Sequence, residues 1–324
     1  MRDLPVIDGL QYGNWSERIF RQMREGHVMA VHVTICYHEN FRETVANIGT
    51  WNRRFAQFPD LIVPARSAVD IDEAIAGKRT AIIFGSQNCS VIEDSIDLVQ
   101  ICRDLGICFM QLTYNNQSLL GGGCFEACDS GITRMGREVI REMNRVGMVI
   151  DMSHSGQHST LQAIELSDRP IAITHANPFS WHPAPRNKST TVMRALADSG
   201  GMLGFSLYPH HLKNGSRCTL ADFCGMIAET VDIMGIDHVG FGSDLCQDQP
   251  DSVVSWMRNG RWTLMDKGSE ATFPNQPTWF RDNRAFGGIL EGLRDLGFTQ
   301  VELEKIAHGN WLRFFRDSFG AIGS

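Results

Sequence analysis

One stretch decides how this sequence is read: MVIDMSHSGQHSTLQAIELSDRPIAITHANPFSWHPAPRN, Met148–Asn187. Two short apolar runs, Met148–Asp151 and Ile171–Thr174, each lead into a histidine, His154 and His175. Between them, Leu161, Ala163, Ile164 and Leu166 keep a helical period over Gln157–Leu166. The order is strand, helix, strand. Such a crossover returns the chain to its starting side, so the two parallel strands end on one rim. His154 and His175 are therefore expected as neighbours in one mouth. Arg186 follows in a Pro-rich loop on the same side.

The alternation continues in both directions. Upstream, strands are expected at Val6–Gly9, Val28–Cys36, Thr80–Phe84 and Ile107–Leu112, with helices at Trp15–Arg24, Ile92–Leu105 and Thr133–Val146 and a long amphipathic segment at Phe41–Phe58. Downstream, strands at Gly201–Leu207 and His238–Gly242 alternate with helices at Val192–Ala197 and Leu220–Met234. Two helical segments close the chain, Asn283–Leu296 and Val301–Phe319. That gives eight strands in 324 residues with no Pro/Gly/Ser-rich linker. The pattern predicts an α/β fold, a single (β/α)8 TIM barrel over residues 1–324 with C-terminal helices. The rival is an open doubly wound sheet. Its glycine-rich phosphate fingerprint is missing, because Asp8–Gly13 does not read GxGxxG.

Bulk composition narrows the function. A formal net charge of -7 with no basic block argues against nucleic acid. No apolar run approaches the length of a membrane span, and the opening residues carry no secretory signal, so the protein reads as cytoplasmic. Nine cysteines, an odd number with no CxxC pair, read mostly as buried free thiols.

In a barrel, residues just past the strand ends line the active-site mouth. Here they include Leu10, Tyr12, Cys36, His38, Gln87, Asn88, Tyr114, Asn115, His154, His175, Tyr208, His210 and Asp244. Neutral imidazoles at His154 and His175 suit either zinc ligation or proton transfer. Asp244, after Gly-Phe-Gly-Ser, can act as general base or metal ligand; an N-cap or loop aspartate is the plainer alternative. Arg186 can grip a substrate carboxylate with two prongs, and a structural ion pair is its rival. His32 lies inside a strand and reads equally as a core histidine or a ligand. His38, His158, His182, His210, His211 and His308 are weaker candidates, and most read as surface or loop residues.

These residues also carry a resemblance. The chain resembles the renal or membrane dipeptidase family, barrels of the amidohydrolase type with two zinc ions. The match runs through Gly131–His154, Ile173-Thr174-His175, Arg186-Asn187, Gly240–Asp244 and Gly309–Phe314. The resemblance implies a metallopeptidase acting on a small dipeptide or related amide. It implies His154 and His175 as ligands of one zinc, Asp244 as the proton-handling residue and Arg186 as the carboxylate clamp. It also implies a homodimer.

Three family ligands are absent. The first strand of the family ends in His-x-Asp, where this chain reads Leu10-Gln11-Tyr12, and the bridging glutamate falls on Gln87. The family's substrate-orienting histidine falls on Tyr114. With both carboxylates lost, at most one zinc is expected, on His154, His175 and a third ligand. Asp244 is the first candidate, followed by Cys36, His32 and His38. Two function classes follow. One is an enzyme on a small carboxylate, with His154, His175, Asp244 and Tyr114 moving protons and Arg186, Tyr114, Gln87 and Asn115 holding the substrate. It is either a dipeptidase-like hydrolase or a metal-free isomerase or tautomerase. The other is a non-catalytic barrel that binds a small ligand. The insertion Leu245–Pro277, with Trp256, Arg258, Arg261 and Trp262, is expected as a lid or a dimer contact.

Overall fold

The strand–helix–strand unit of the central stretch forms as read, and it sets the geometry of everything around it. The computed structural model describes residues 4–260 and 272–320. Val149–Asp151 and Ala172–Ala176 are parallel strands joined through the helix Gln157–Leu166, with Asp151 opposite Ala172. The helix before them, Arg134–Val146, has its start and stop written locally. The Thr133 side chain accepts from the Gly136 backbone N–H, and Gly147 closes the helix in the left-handed conformation at φ 69°. Val139, Ile140, Met143 and Val146 form its buried face.

Among the described residues nine parallel strands are present: β1 (Val6–Gln11), β2 (Val28–Cys36), β3 (Ile62–Ala65), β4 (Thr80–Ser86), β5 (Ile107–Gln111), β6 (Val149–Asp151), β7 (Ala172–Ala176), β8 (Met202–Phe205) and β9 (Val239–Phe241). The sheet closes through the pairing of β2 with β4, so eight strands make the barrel. The ninth, β3, was not expected from the sequence. It fills the edge of β4 along Thr80–Ile83, while β5 takes the same strand from Phe84 onward. Four residues containing Pro64 give almost no periodic signal, and a proline is tolerated because β3 is paired on one side only. The following helix, Ala68–Ala76, was also missed, although Ser67 and Asp70 form a reciprocal capping box at its start.

Among the described residues the two larger apolar cores hold the barrel. One lies between the strands and the surrounding helices. The other fills the barrel interior at the amino ends of the strands, where Ile7, Ala30, Ala81 and Met202 meet Trp311, Phe314 and Phe315. The helix Asn310–Ser318 thereby plugs the end opposite the mouth. Trp311 Nε1 donates to the Phe241 carbonyl at 2.8 Å, so its one polar atom is satisfied in the core. Toward the mouth the barrel is pinched. A Cβ on Gly204 or Gly242 would come within 2.0 or 1.6 Å of the Thr174 carbonyl oxygen, so both positions require glycine.

All nine cysteines are free thiols. No helix among the described residues is long and apolar enough to cross a membrane. Trp311→Ala removes the largest side chain of the plug and is expected to lower stability by about 3–5 kcal/mol in denaturant titration. A loss under 1 kcal/mol would contradict the plugging role.

Candidate active site

The carboxyl ends of the strands open into a cavity of 360 Å³. Of the residues expected there, Gln87, Tyr114, Asn115, His154, Arg186 and Asp244 all line it. His175 lies directly beneath, fully buried, with its Nε2 3.0 Å from Nε2 of His154. The strand–helix–strand unit has brought the two imidazoles together.

What lies behind each ring fixes its tautomer. Asp151 accepts from the Gln111 side-chain amide, the Ser153 hydroxyl and backbone N–H, and the Thr174 backbone N–H. It also accepts the Thr174 hydroxyl at 2.6 Å, which spends the only proton of that hydroxyl. Thr174 Oγ1 must then accept from His175, whose Nδ1–H donates to it at 2.8 Å. His154 Nδ1–H likewise donates to Asn115 Oδ1 at 2.7 Å, and the Cys124 thiol donates to the same oxygen. Both rings thus present a bare Nε2 lone pair to the other.

A third acceptor joins them. Gln87 donates its amide N–H groups to Thr34 Oγ1 at 2.7 Å and to the Tyr37 hydroxyl at 2.9 Å. That turns Oε1 toward His154 Nε2, 3.0 Å away. Two imidazole nitrogens and one amide oxygen converge with no proton among them. They are the atoms here that could hold a cation.

Electrostatics keep the imidazoles neutral. Burial pushes the pKa of His154 and His175 well below the usual 6.5, and the nearby Arg186 guanidinium pushes the same way. Arg186 is buried. Its guanidinium donates to the Ser153 carbonyl and, at 3.4 Å, to the His175 carbonyl, and among the described residues no carboxylate pairs with it. The structural ion pair weighed from the sequence is therefore not formed. Lys188, two residues on, donates to the Met152 and Ser155 carbonyls at 2.9 Å each, and burial lowers its pKa to about 8. Asp244 sits at φ 54°, a left-handed position that aspartate tolerates better than most residues. Burial raises its carboxyl to about 7, against the pull of Arg186.

Other expectations divide. Leu10 is fully buried and does not line the cavity. Cys36 is a buried thiol beside Ser90, apart from the cavity. His32 lies inside the barrel, donates through Nδ1 to the Gly9 carbonyl at 2.8 Å and stacks on Phe109. His38 stands on the rim, its Nε2 3.2 Å from the Met257 carbonyl. His211, read as a surface or loop residue, is a correction. It is buried, bonded to Ser206 Oγ at 2.7 Å, and it lines the cavity. Tyr114 stacks on His154 at 4.0 Å. Tyr37 was missed; it meets Tyr12 and Tyr114 edge-on and completes an aromatic wall. The hydroxyl residue just before each histidine, Ser153 and Thr174, was the one sequence signal for the network behind the rings. After the last strand, the helix Ser252–Asn259 brings Met257 and Arg258 into the cavity lining. Arg261 and Trp262 lie outside the described residues.

The sequence pattern of the membrane dipeptidase family, peptidase family M19, matches residues 15–255. This chain belongs to that family. An amidohydrolase from Pseudomonas aeruginosa is 33% identical and superposes with a TM-score of 0.92 over 98% of this chain and 97% of its own. A metallo peptidase from Rhodobacter sphaeroides, solved with a phosphinate mimic of the dipeptide L-Ala-D-Ala, shares the fold at 18% identity and a TM-score of 0.79, covering 98% of this chain and 99% of its own. The dipeptidase aclJ of Aspergillus oryzae is 24% identical over 86% of this chain, which spans 62% of that protein's length. For the dipeptidase tcpJ of Claviceps purpurea the figures are 25%, 64% and 50%.

Nitrogen-15 NMR of the metal-free protein is expected to show both His154 and His175 as neutral Nδ1–H tautomers at pH 7. Thr174→Val should release the His175 ring to the other tautomer. An Nε2–H signal from either ring in the unsubstituted protein would contradict the assignment.

Proposed function

We propose that the protein hydrolyses a small amide bearing a carboxylate, a dipeptide or a close relative, with one divalent cation at most. The observation that carries this is the convergence of the His154 and His175 Nε2 atoms, 3.0 Å apart, beneath a guanidinium with no carboxylate partner among the described residues. Family membership supports the hydrolytic class. Two cations do not suit the donors. Leu10 offers no ligand atom, the Tyr12 hydroxyl is held protonated by burial, and Gln87 is neutral. Among the described residues no group of three His, Cys, Asp or Glu side chains could hold a metal. One cation does suit them, with Gln87 Oε1 rather than Asp244 as the third donor nearest the imidazoles.

His154, His175 and Gln87 would hold a zinc ion, which would supply Lewis-acid activation of water near neutral pH. The chain's own groups do the rest. Arg186, locked by two backbone carbonyls, holds the substrate carboxylate and orients the amide. The Tyr114 hydroxyl, kept protonated by burial, donates a hydrogen bond into the same space. Asp244, with its carboxyl near pH 7, accepts the proton of the attacking water and returns it to the leaving amine. The helix Ser252–Asn259 roofs the cavity as a lid, with Trp256 against Tyr37 and His38.

The test is a dipeptide panel assayed with and without zinc, alongside metal content per chain. Turnover with close to one zinc per chain is expected; two tightly held zincs, or no turnover of any small amide, would overturn the reading. Asp244→Asn should cost about 10²–10⁴-fold in kcat. In the unsubstituted enzyme the rate should rise with pH through about 7 as Asp244 loses its proton, and this limb should vanish in the variant.

A further inference from the structure

The cavity is lined by two guanidinium groups that reach it from different elements. Arg186 comes from the loop after β7, and Arg258 from the helix Ser252–Asn259 that follows β9. Arg186 spends donors on the Ser153 and His175 carbonyls. Arg258 donates one N–H to the Tyr208 hydroxyl at 2.8 Å, which holds its head in the cavity lining. Among the described residues neither forms an ion pair with a carboxylate. A guanidinium carries five N–H donors in a flat fork, so each keeps a face free for an anion.

The rest of the lining does not balance these charges. Asp244 is its one carboxylate among the described residues, and it is half-protonated near neutral pH. Burial keeps His211 uncharged and the Cys246 thiol protonated. The buried Lys188 adds a further positive charge behind Arg186. A chain of net charge -7 thus carries a positive cavity. Positive charge that is buried at Arg186 and half-buried at Arg258 favours an anionic occupant, and one carboxylate answers only one of the two forks.

We propose that the occupant is a dianion: a small amide with one carboxylate on Arg186 and a second on Arg258, as in an acidic dipeptide or an N-acylated acidic amino acid. Arg258 is then a specificity-determining residue, and Tyr208 positions it. The amide chemistry rests on the function proposed above; the recognition of two anionic groups does not.

The experiment has two arms. In the first, calorimetry with the intact zinc-treated protein compares N-acetylglutamate with N-acetylglutamine, which differ by one carboxylate; both enantiomers are used. At least tenfold tighter binding of one enantiomer of the dianion is expected. In the second, kcat/KM is compared for Ala-Glu against Ala-Gln and for Glu-Ala against Gln-Ala. One pair should favour the acid at least tenfold. Arg258→Gln should bring that ratio to within threefold of unity, and Arg258→Lys should keep part of it. A loss that is merely structural would lower both members of a pair alike and leave the ratio standing. Equal binding of the two N-acetyl compounds, or a preference untouched in Arg258→Gln, overturns the proposal. If no peptide is cleaved but the dianion still binds tighter through Arg258, the hydrolytic reading fails and this one stands.

Discussion

Two imidazole lone pairs face each other at 3.0 Å, and the rest of the site is built to keep them there. A neutral imidazole normally relieves such opposition by moving its proton to the other nitrogen. Here that escape is closed on both rings. Asn115 takes the His154 Nδ1–H, and the Thr174 hydroxyl, itself committed to Asp151, takes the His175 Nδ1–H. The Asp151 carboxylate thus sets a proton two residues away in a chain of hydrogen bonds. Second-layer partners of this kind orient the nitrogens that a metal uses. On the proposed reading, a single cation would satisfy both lone pairs.

The barrel supplies the precision this requires. His175 lies within β7 and His154 stands three residues past the end of the adjacent parallel β6, so the sheet sets the position of one ring and the turn after β6 brings the other to it. The pinch at Gly204 and Gly242 brings backbones together around Thr174, the residue that relays Asp151 to His175. The loop bearing Arg186 is fastened in turn. Asn177 and Asn187 both donate to the His211 carbonyl, and Lys188 ties the loop end to the Met152 and Ser155 carbonyls. Among the described residues the buried Arg186 head is held by main-chain acceptors alone. That leaves its charge available and helps to keep both rings neutral.

Much of this was legible in the sequence, because it follows from periodicity and from position at a strand end. The eight barrel strands, the meeting of His154 with His175, and the presence of Gln87, Tyr114, Asn115, Arg186 and Asp244 at the mouth needed only the rule that strand ends share a rim. What escaped was short-range or long-range in the wrong way. β3 is four residues with a proline, too brief for a period to show. Tyr37 and His211 entered the site through loop paths that no spacing encodes. The turn of Gln87 Oε1 toward His154 depends on Thr34 and Tyr37 holding its amide, a side-chain choice made in three dimensions. Arg258 was visible only as part of an insertion; its place in the lining comes from the contacts of one helix.

Anomalous diffraction at the zinc edge, from crystals grown with excess zinc, tests the central claim most directly. One peak, bonded to His154 Nε2, His175 Nε2 and Gln87 Oε1, is the predicted result. Two adjacent peaks at the mouth, or a single peak that leaves these three atoms unbonded, would contradict it.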